Sequence, residues 1–270
     1  MRIVFIGDIV GRPGRDAVEK HVSAIREKYS PDVIIMNAEN SAHGFGLTEE
    51  ICKDLYGMGA DCITTGNHVW DQREMLSYIT RDKRVIRAAN FPEGTPGQGH
   101  YLHQLPDGRK ILVIHLLART FMDPLDCPFK AADQILAKYR LGAAVNAIFV
   151  DIHGETTSEK MAMAHYLDGR VSAVIGTHTH VPTADACIYD GGTAYQTDAG
   201  MSGNYNSVIG MDKEAPLIKF TKKTPAPARM FPAAGEGTLC GVYVKTDDTT
   251  GLSEEIIPLR VGPRLQNSGL

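Results

Sequence analysis

Five apolar runs in this chain each end in a polar side chain, and this repeated pattern constrains the fold more than any overall figure does. Residues 2–7 lead to Asp8, and Val33–Met36 lead through Asn37 and Ala38 to Glu39-Asn40. A third run, 61–65, leads to Gly66-Asn67-His68. Ala147–Ile152 leads to His153, and 171–176 leads to Thr177-His178-Thr179-His180. Continuous rather than alternating hydrophobicity suits strands covered on both faces. Between the first three runs lie stretches with helical spacing, marked by Val18, Val22 and Ile25 and then by 47–57 with Thr48 as N-cap. Strand, helix, strand, helix, strand is a βαβ order. Right-handed crossovers then put residues 8, 39–40 and 67–68 on one sheet edge.

The rest of the chain extends this plan. A helix is expected to open at Asp71 with Glu74 closing a capping box, and another at Thr156 with Glu159. Pro106-Asp107-Gly108-Arg109 between 101–105 and 110–117 is a hairpin signal, so pairing turns antiparallel there. Residues 129–139 read as a helix. The last third reads as β with loops, with strand candidates at 185–189, 193–197, 239–245 and 254–260, and a Pro-rich surface crossing at 225–232. No repeat or linker divides the chain. It reads as one domain over 1–270, with a core over 1–260 and a tail, 261–270, expected to be poorly ordered.

Composition excludes several classes. A hydrophobic share of 43% and a charged share of 22% are ordinary for a soluble globular chain, and a net charge of −4 gives no reason to expect a general nucleic-acid binder. Five cysteines, an odd number without a Cys-x-x-Cys, argue against a disulfide framework or a zinc knuckle. The N-terminal apolar run meets Asp8 too early for a signal peptide, and no stretch approaches the ~20 apolar residues of a membrane helix. The expected location is the cytoplasm, with no membrane partner.

The strand ends hold Asp8, Glu39, Asn40, Asn67, His68, His153, His178 and His180. Carboxylate, amide and imidazole without cysteine suit a first-row transition metal, and the set is too large for one four-coordinate ion. On an extended segment His178 and His180 would point the same way. Each block alone has a bland reading: an Asp before a glycine turn is common, and a lone Asn-His is more often a turn amide and a surface imidazole. The blocks together and in order, each closing an apolar strand, carry the specificity. Trp70 beside His68 could stack on a base or pack in the core. Arg12 reads best as a solvated turn residue, and His115 as a hydrogen-bonded structural histidine. No P-loop, dinucleotide fingerprint or nucleophile elbow is present.

Asp8, Glu39-Asn40, Gly66-Asn67-His68, His153 and Gly176-Thr177-His178-Thr179-His180 resemble the ordered blocks of the calcineurin-like metallophosphoesterases, and more narrowly of the YmdB-like family. The resemblance extends to Leu125–Phe129, Thr197–Gly203 and Thr238–Pro258. Two departures from the broad superfamily fit the narrower branch: Asp8-Ile9-Val10 replaces Asp-x-His, and Glu39 replaces the bridging Asp. Val69 is a third departure, standing where many members carry an acidic residue. Asp71 could orient His68 in its place.

The resemblance implies an α/β fold, a four-layer α/β/β/α sandwich of two mixed sheets flanked by helices. It implies two transition-metal ions, iron or manganese with zinc also compatible. Asp8, Glu39, Asn40 and His180 would hold one ion, and Glu39, Asn67, His153 and His178 the other. The implied reaction is hydrolysis of a small phosphodiester, a 2′,3′-cyclic nucleotide, by hydroxide held between the metals, with His68 as proton donor. The alternatives are a phosphomonoesterase or RNA-directed nuclease of the same fold, or a bacterial regulator that binds metal or nucleotide with little catalysis. RNA and a second copy of the chain remain open as partners.

Overall fold

The computed structural model describes residues 1–223 and 230–270. The first half-sandwich is built from β1 (Arg2–Ile6), α1 (Gly11–Tyr29), β2 (Val33–Asn37), α2 (Glu49–Gly57), β3 (Cys62–Thr64), α3 (Met75–Arg81) and β4 (Val85–Ile86). The second follows with β5 (His100–Gln104), β6 (Lys110–Leu117), α4 (Pro128–Leu136), β7 (Ala147–His153), α5 (Thr157–Leu167), β8 (Ala173–Thr177), β9 (Cys187–Ile188) and β10 (Ala194–Gln196). After α6 (Glu214–Lys222), the hairpin β11 (Leu239–Thr246) and β12 (Ser253–Val261) returns to the first sheet.

The sheets have strand orders β12-β11-β1-β2-β3-β4 and β5-β6-β7-β8-β10-β9. Strands β1 to β4 run parallel, as do β6, β7, β8 and β10, while β5, β9, β11 and β12 pair antiparallel. Both sheets are therefore mixed. Ile3, Phe5, Ile35, Val113, Phe149 and Ile175 meet between them, with the Phe5 and Phe149 ring centroids 5.0 Å apart. The alternate residues Val4, Ile6, Ile34 and Met36 pack under α1, α2 and α3. Leu112, Ile114, Ile148 and Val150 pack under α4 and α5. Both faces of each sheet are covered, which is why the strand sequences read as unbroken apolar runs. The expected four-layer α/β/β/α sandwich is the observed one. No described helix is long and apolar enough to cross a membrane.

Several local expectations need correction. Helix α1 starts at Gly11 rather than at 15, with Pro13 inside its first turn, where a missing N–H leaves nothing unsatisfied. Neither capping box forms. Glu74 accepts instead from the Glu49 N–H, and α3 begins only at Met75. Glu159 accepts from the Arg119 and Thr120 N–H groups, so it ties the β6–α4 loop to α5. Thr48 does cap α2, accepting from the Ile51 N–H. Helix α6 lies in the third of the chain that reads as β with loops. Of the expected surface crossing at 225–232, residues 225–229 lie outside the described residues. The tail is not loose: β12 continues to Val261, Arg260 and Ser268 exchange backbone hydrogen bonds, and the Tyr29 hydroxyl donates to the Gly269 carbonyl.

Candidate metal centre

Parallel strands of one sheet end on one edge, and here the ends of two sheets meet. Just past β1, β2 and β3 stand Asp8, Glu39-Asn40 and Asn67-His68, while β7 and β8 deliver His153, His178 and His180. His153 Nε2 lies 2.6 Å from Glu39 Oε2, 3.1 Å from Asn67 Oδ1 and 3.0 Å from His178 Nδ1. One ring nitrogen cannot donate to three atoms at once. A shared cation would resolve the crowding, and Glu39, His153 and His178 place ligand atoms within 4.8 Å of one another.

The second histidine ring nitrogens fix which atoms face inward. Thr177 Oγ1 donates to Asp151 Oδ1 at 2.7 Å and therefore accepts from His153 Nδ1, 2.9 Å away. That leaves the His153 Nε2 lone pair aimed at the centre. His178 Nε2 lies 3.2 Å from Glu155 Oε2, which holds its proton on the outer side and frees Nδ1. His180 Nδ1 donates to the Ile209 carbonyl at 2.8 Å, so its Nε2 also carries a lone pair. Facing that lone pair at 3.1 Å is Asn40 Oδ1, whose amide is oriented by donation from Nδ2 to the Gly44 carbonyl. Two acceptors in contact are repulsive unless a cation sits beside them.

Charge balance agrees. Asp8, Glu39, Asp151 and Asp198 are all buried, against one buried lysine or arginine, Lys160, among the described residues. Asp8 accepts from the His178 N–H through Oδ2, but its buried Oδ1 has no partner. Burial, then Asp198 and Glu39, push its carboxyl well above the usual range. An uncompensated buried carboxylate is costly. Glu39 behaves otherwise. Burial opposes its charge, but a proton on His153 Nε2, in the place a cation would take, together with His68 holds it at about 2. Burial and the neighbouring His153 lower His178 to about 3, and burial lowers His180, so both rings favour the neutral form that binds metal.

Backbone geometry is specialised at the same place. His178 and His180 have φ of 96° and 66°, left-handed values that cost about 1–3 kcal/mol each for residues other than glycine. The expected extended segment is therefore replaced by a bent one, and the two imidazoles turn to different partners, His153 and Asn40. Lys160 holds this bend, donating to the Thr177 carbonyl and to Asp198 Oδ2, which also accepts from the Thr179 N–H. At Gly66 a Cβ would lie 2.3 Å from the Glu39 carboxylate carbon, so glycine alone leaves room for that ligand.

His68 stands apart from the crowded nitrogens. Its N–H donates to Glu39 Oε1 at 2.8 Å, while its ring Nδ1 lies 2.9 Å from Asp71 Oδ2 and its side chain is partly exposed. Asp71 thus orients the ring, and His68 lines a cavity of about 420 Å³ together with Glu39, Asn40, His178 and His180. Trp70 packs edge-on to Phe91 against the core and does not line this cavity. Arg12 is a solvated residue beside Asp16. His115 is fully buried with Nδ1 3.4 Å from Asp151 Oδ2. Asp151, Glu155 and Lys160 are not singled out by their sequence positions, and Thr177 and Asp198 fall inside family-like segments without a role of their own. The one signal for Asp151 is a charged residue inside an otherwise apolar strand.

Removing the Thr177 hydroxyl should loosen the tautomer lock. Thr177→Val is expected to weaken metal binding about 10–100-fold. Thr177→Ser should restore it, and metal titration of both variants checks the pair.

Two facing mixed sheets with a carboxylate, amide and imidazole cluster on their shared edge make a metallophosphoesterase-type fold. The chain belongs to the YmdB-like protein family, whose model matches residues 4–259. A Bacillus subtilis (strain 168) protein named 2′,3′-cyclic-nucleotide 2′-phosphodiesterase is 50% identical over 250 residues, 93% of either chain. A hypothetical protein from Thermus thermophilus has a crystal structure matching with TM-score 0.90 at 40% identity, covering 98% of this chain and all of that one. A Mycoplasma pneumoniae phosphatase structure matches with TM-score 0.89 at 32% identity, covering 97% of this chain and 93% of that one.

Proposed function

We propose that the protein is a cytoplasmic, two-metal phosphodiesterase that opens 2′,3′-cyclic nucleotides to 3′-nucleotides. The observation that carries this reading is the convergence of acceptor atoms on His153 Nε2 and at the Asn40–His180 pair, beside the orphaned Asp8 Oδ1. Asp8, Glu39, Asn40 and His180 would hold one ion, and Glu39, Asn67, His153 and His178 the other, with Glu39 shared. Iron and manganese are the ions proposed, and zinc also suits these donors. Such ions supply positive charge against a phosphate and lower the pKa of water to about 7. The name of the Bacillus subtilis relative supports the substrate class.

The chain's own residues have separable tasks. Asp8 and Glu39 set the charge of the centre, while Asn40 and Asn67 add neutral oxygen donors, so the loaded site stays cationic toward a phosphodiester anion. Water's oxygen bonds to phosphorus, and the bond from phosphorus to the 2′-oxygen breaks. That oxygen needs a proton, and His68 would give it as the imidazolium: Asp71 accepts from Nδ1–H, and the second proton, on Nε2, passes to the leaving oxygen. The reading is tested with 2′,3′-cyclic AMP, 3′,5′-cyclic AMP, a nitrophenyl monoester and RNA. The 2′,3′-cyclic nucleotide should be preferred, with 3′-AMP as product, and stripping metal with a chelator should abolish turnover until metal is restored. Preference for the monoester or for RNA would replace this reading with a phosphatase or a nuclease.

A further inference from the structure

The cavity has a polar floor and an apolar wall. The floor is the carboxylate and imidazole cluster, and the wall includes Phe45, Ile209, Met211 and Phe220. Helix α6 supplies Pro216, Lys219 and Phe220 to it. These sit at i, i+3 and i+4, one face of a helix. Pro216 is buried and anchors that face, yet Phe220 is 71% exposed. A large ring left in water at a cavity rim adds little to folding. Phe45 differs: it is half-buried, and its ring meets His68 at 5.1 Å, T-shaped, so it is already occupied in placing the imidazole. A volume of about 420 Å³ lies in the range of small-molecule sites.

Accepting the phosphodiesterase reading, the geometry points to α6 as the nucleoside-binding wall, with the Phe220 ring as the surface on which the base stacks. Every nucleobase has a π face, so stacking is tolerant of base identity. Lys219 is the wall's one lysine or arginine among the described residues, and no carboxylate or amide of α6 lines the cavity to read a base edge. The α6 wall therefore recognises that a base is present and discriminates weakly among bases.

The test compares KM and kcat for the four 2′,3′-cyclic nucleotides and for 1-O-methylribose 2′,3′-cyclic phosphate, which has no base. The wild type should show similar KM for the four nucleotides and a higher KM for the baseless ester. Phe220→Ala should raise nucleotide KM about tenfold, with kcat and the baseless ester little affected. Phe220→Trp should restore the low KM. Leu217→Ala, on α6 but outside the cavity lining, should behave as wild type. Unchanged nucleotide KM in Phe220→Ala overturns the assignment. So does an equal loss on the baseless ester, or the same loss in Leu217→Ala. Failure of the wild type to open any of the four nucleotides would instead refute the phosphodiesterase reading itself.

Discussion

Glu39→Gln should lose metal and turnover together. Elemental analysis of the purified variant should show the ions depleted, and hydrolysis of 2′,3′-cyclic AMP should fall by more than about 10³-fold, since the acidification of water from a pKa of 15.7 to about 7 is lost with the metal. The carboxylate is the one side chain that both halves of the proposed centre use. Its Oε2 stands 2.6 Å from His153 Nε2, and its Oε1 accepts the His68 N–H. Glutamine keeps the size but exchanges one acceptor for a donor and removes a charge. Whichever way the amide turns, it either points N–H groups at His153 or forfeits the bond to His68. A variant that keeps both ions and most of its activity would remove Glu39 as the bridge.

His68→Ala should give the opposite pairing of results: metal content like the wild type, and kcat lower by about 10²–10⁴-fold. The imidazole is outside the group of nitrogens and oxygens that crowd His153, and only its backbone N–H touches a proposed ligand. Because alanine retains that N–H, Glu39 stays anchored. Asp71→Asn should have a smaller effect in the same direction, as its partner in the ring's orientation is weakened rather than removed. Full activity in His68→Ala would assign the proton transfer elsewhere. Loss of metal in step with activity would make His68 structural.

The strand ends were readable because a fully covered strand must be apolar throughout, so its first polar residue marks the sheet edge. Asp8 stands out on that ground alone, whereas Glu39 and His153 each follow an earlier polar residue, Asn37 and Asp151. The supports are less readable. Thr177 reads only as the residue that closes an apolar run, and its bond to Asp151 comes from register across β7 and β8, which no local pattern encodes. Glu74 and Glu159 have capping-box spacing, yet each serves a distant backbone amide, from Glu49 and from Arg119 and Thr120. Tertiary contacts outbid the local bond in both. Helix α6 is obscured because Pro216 interrupts its pattern and Leu217 and Phe220 face outward, so no apolar stripe points to the core. The bend at His178 and His180 is hidden for another reason: neither residue type announces a left-handed backbone.

β1 lies between β2 and β11, and its partner β11 starts only at Leu239. During synthesis the strand carrying Asp8 is made early, but one of its hydrogen-bonding edges stays open until the late hairpin arrives. Its residues Ile3, Val4, Phe5 and Ile6 are fully buried in the finished protein, so in that interval the chain displays a bare apolar edge able to pair with a neighbour. A nascent chain stalled before Leu239 is thus the aggregation-prone species. The strand that leads to Asp8 is among the first made and among the last to be paired on both edges.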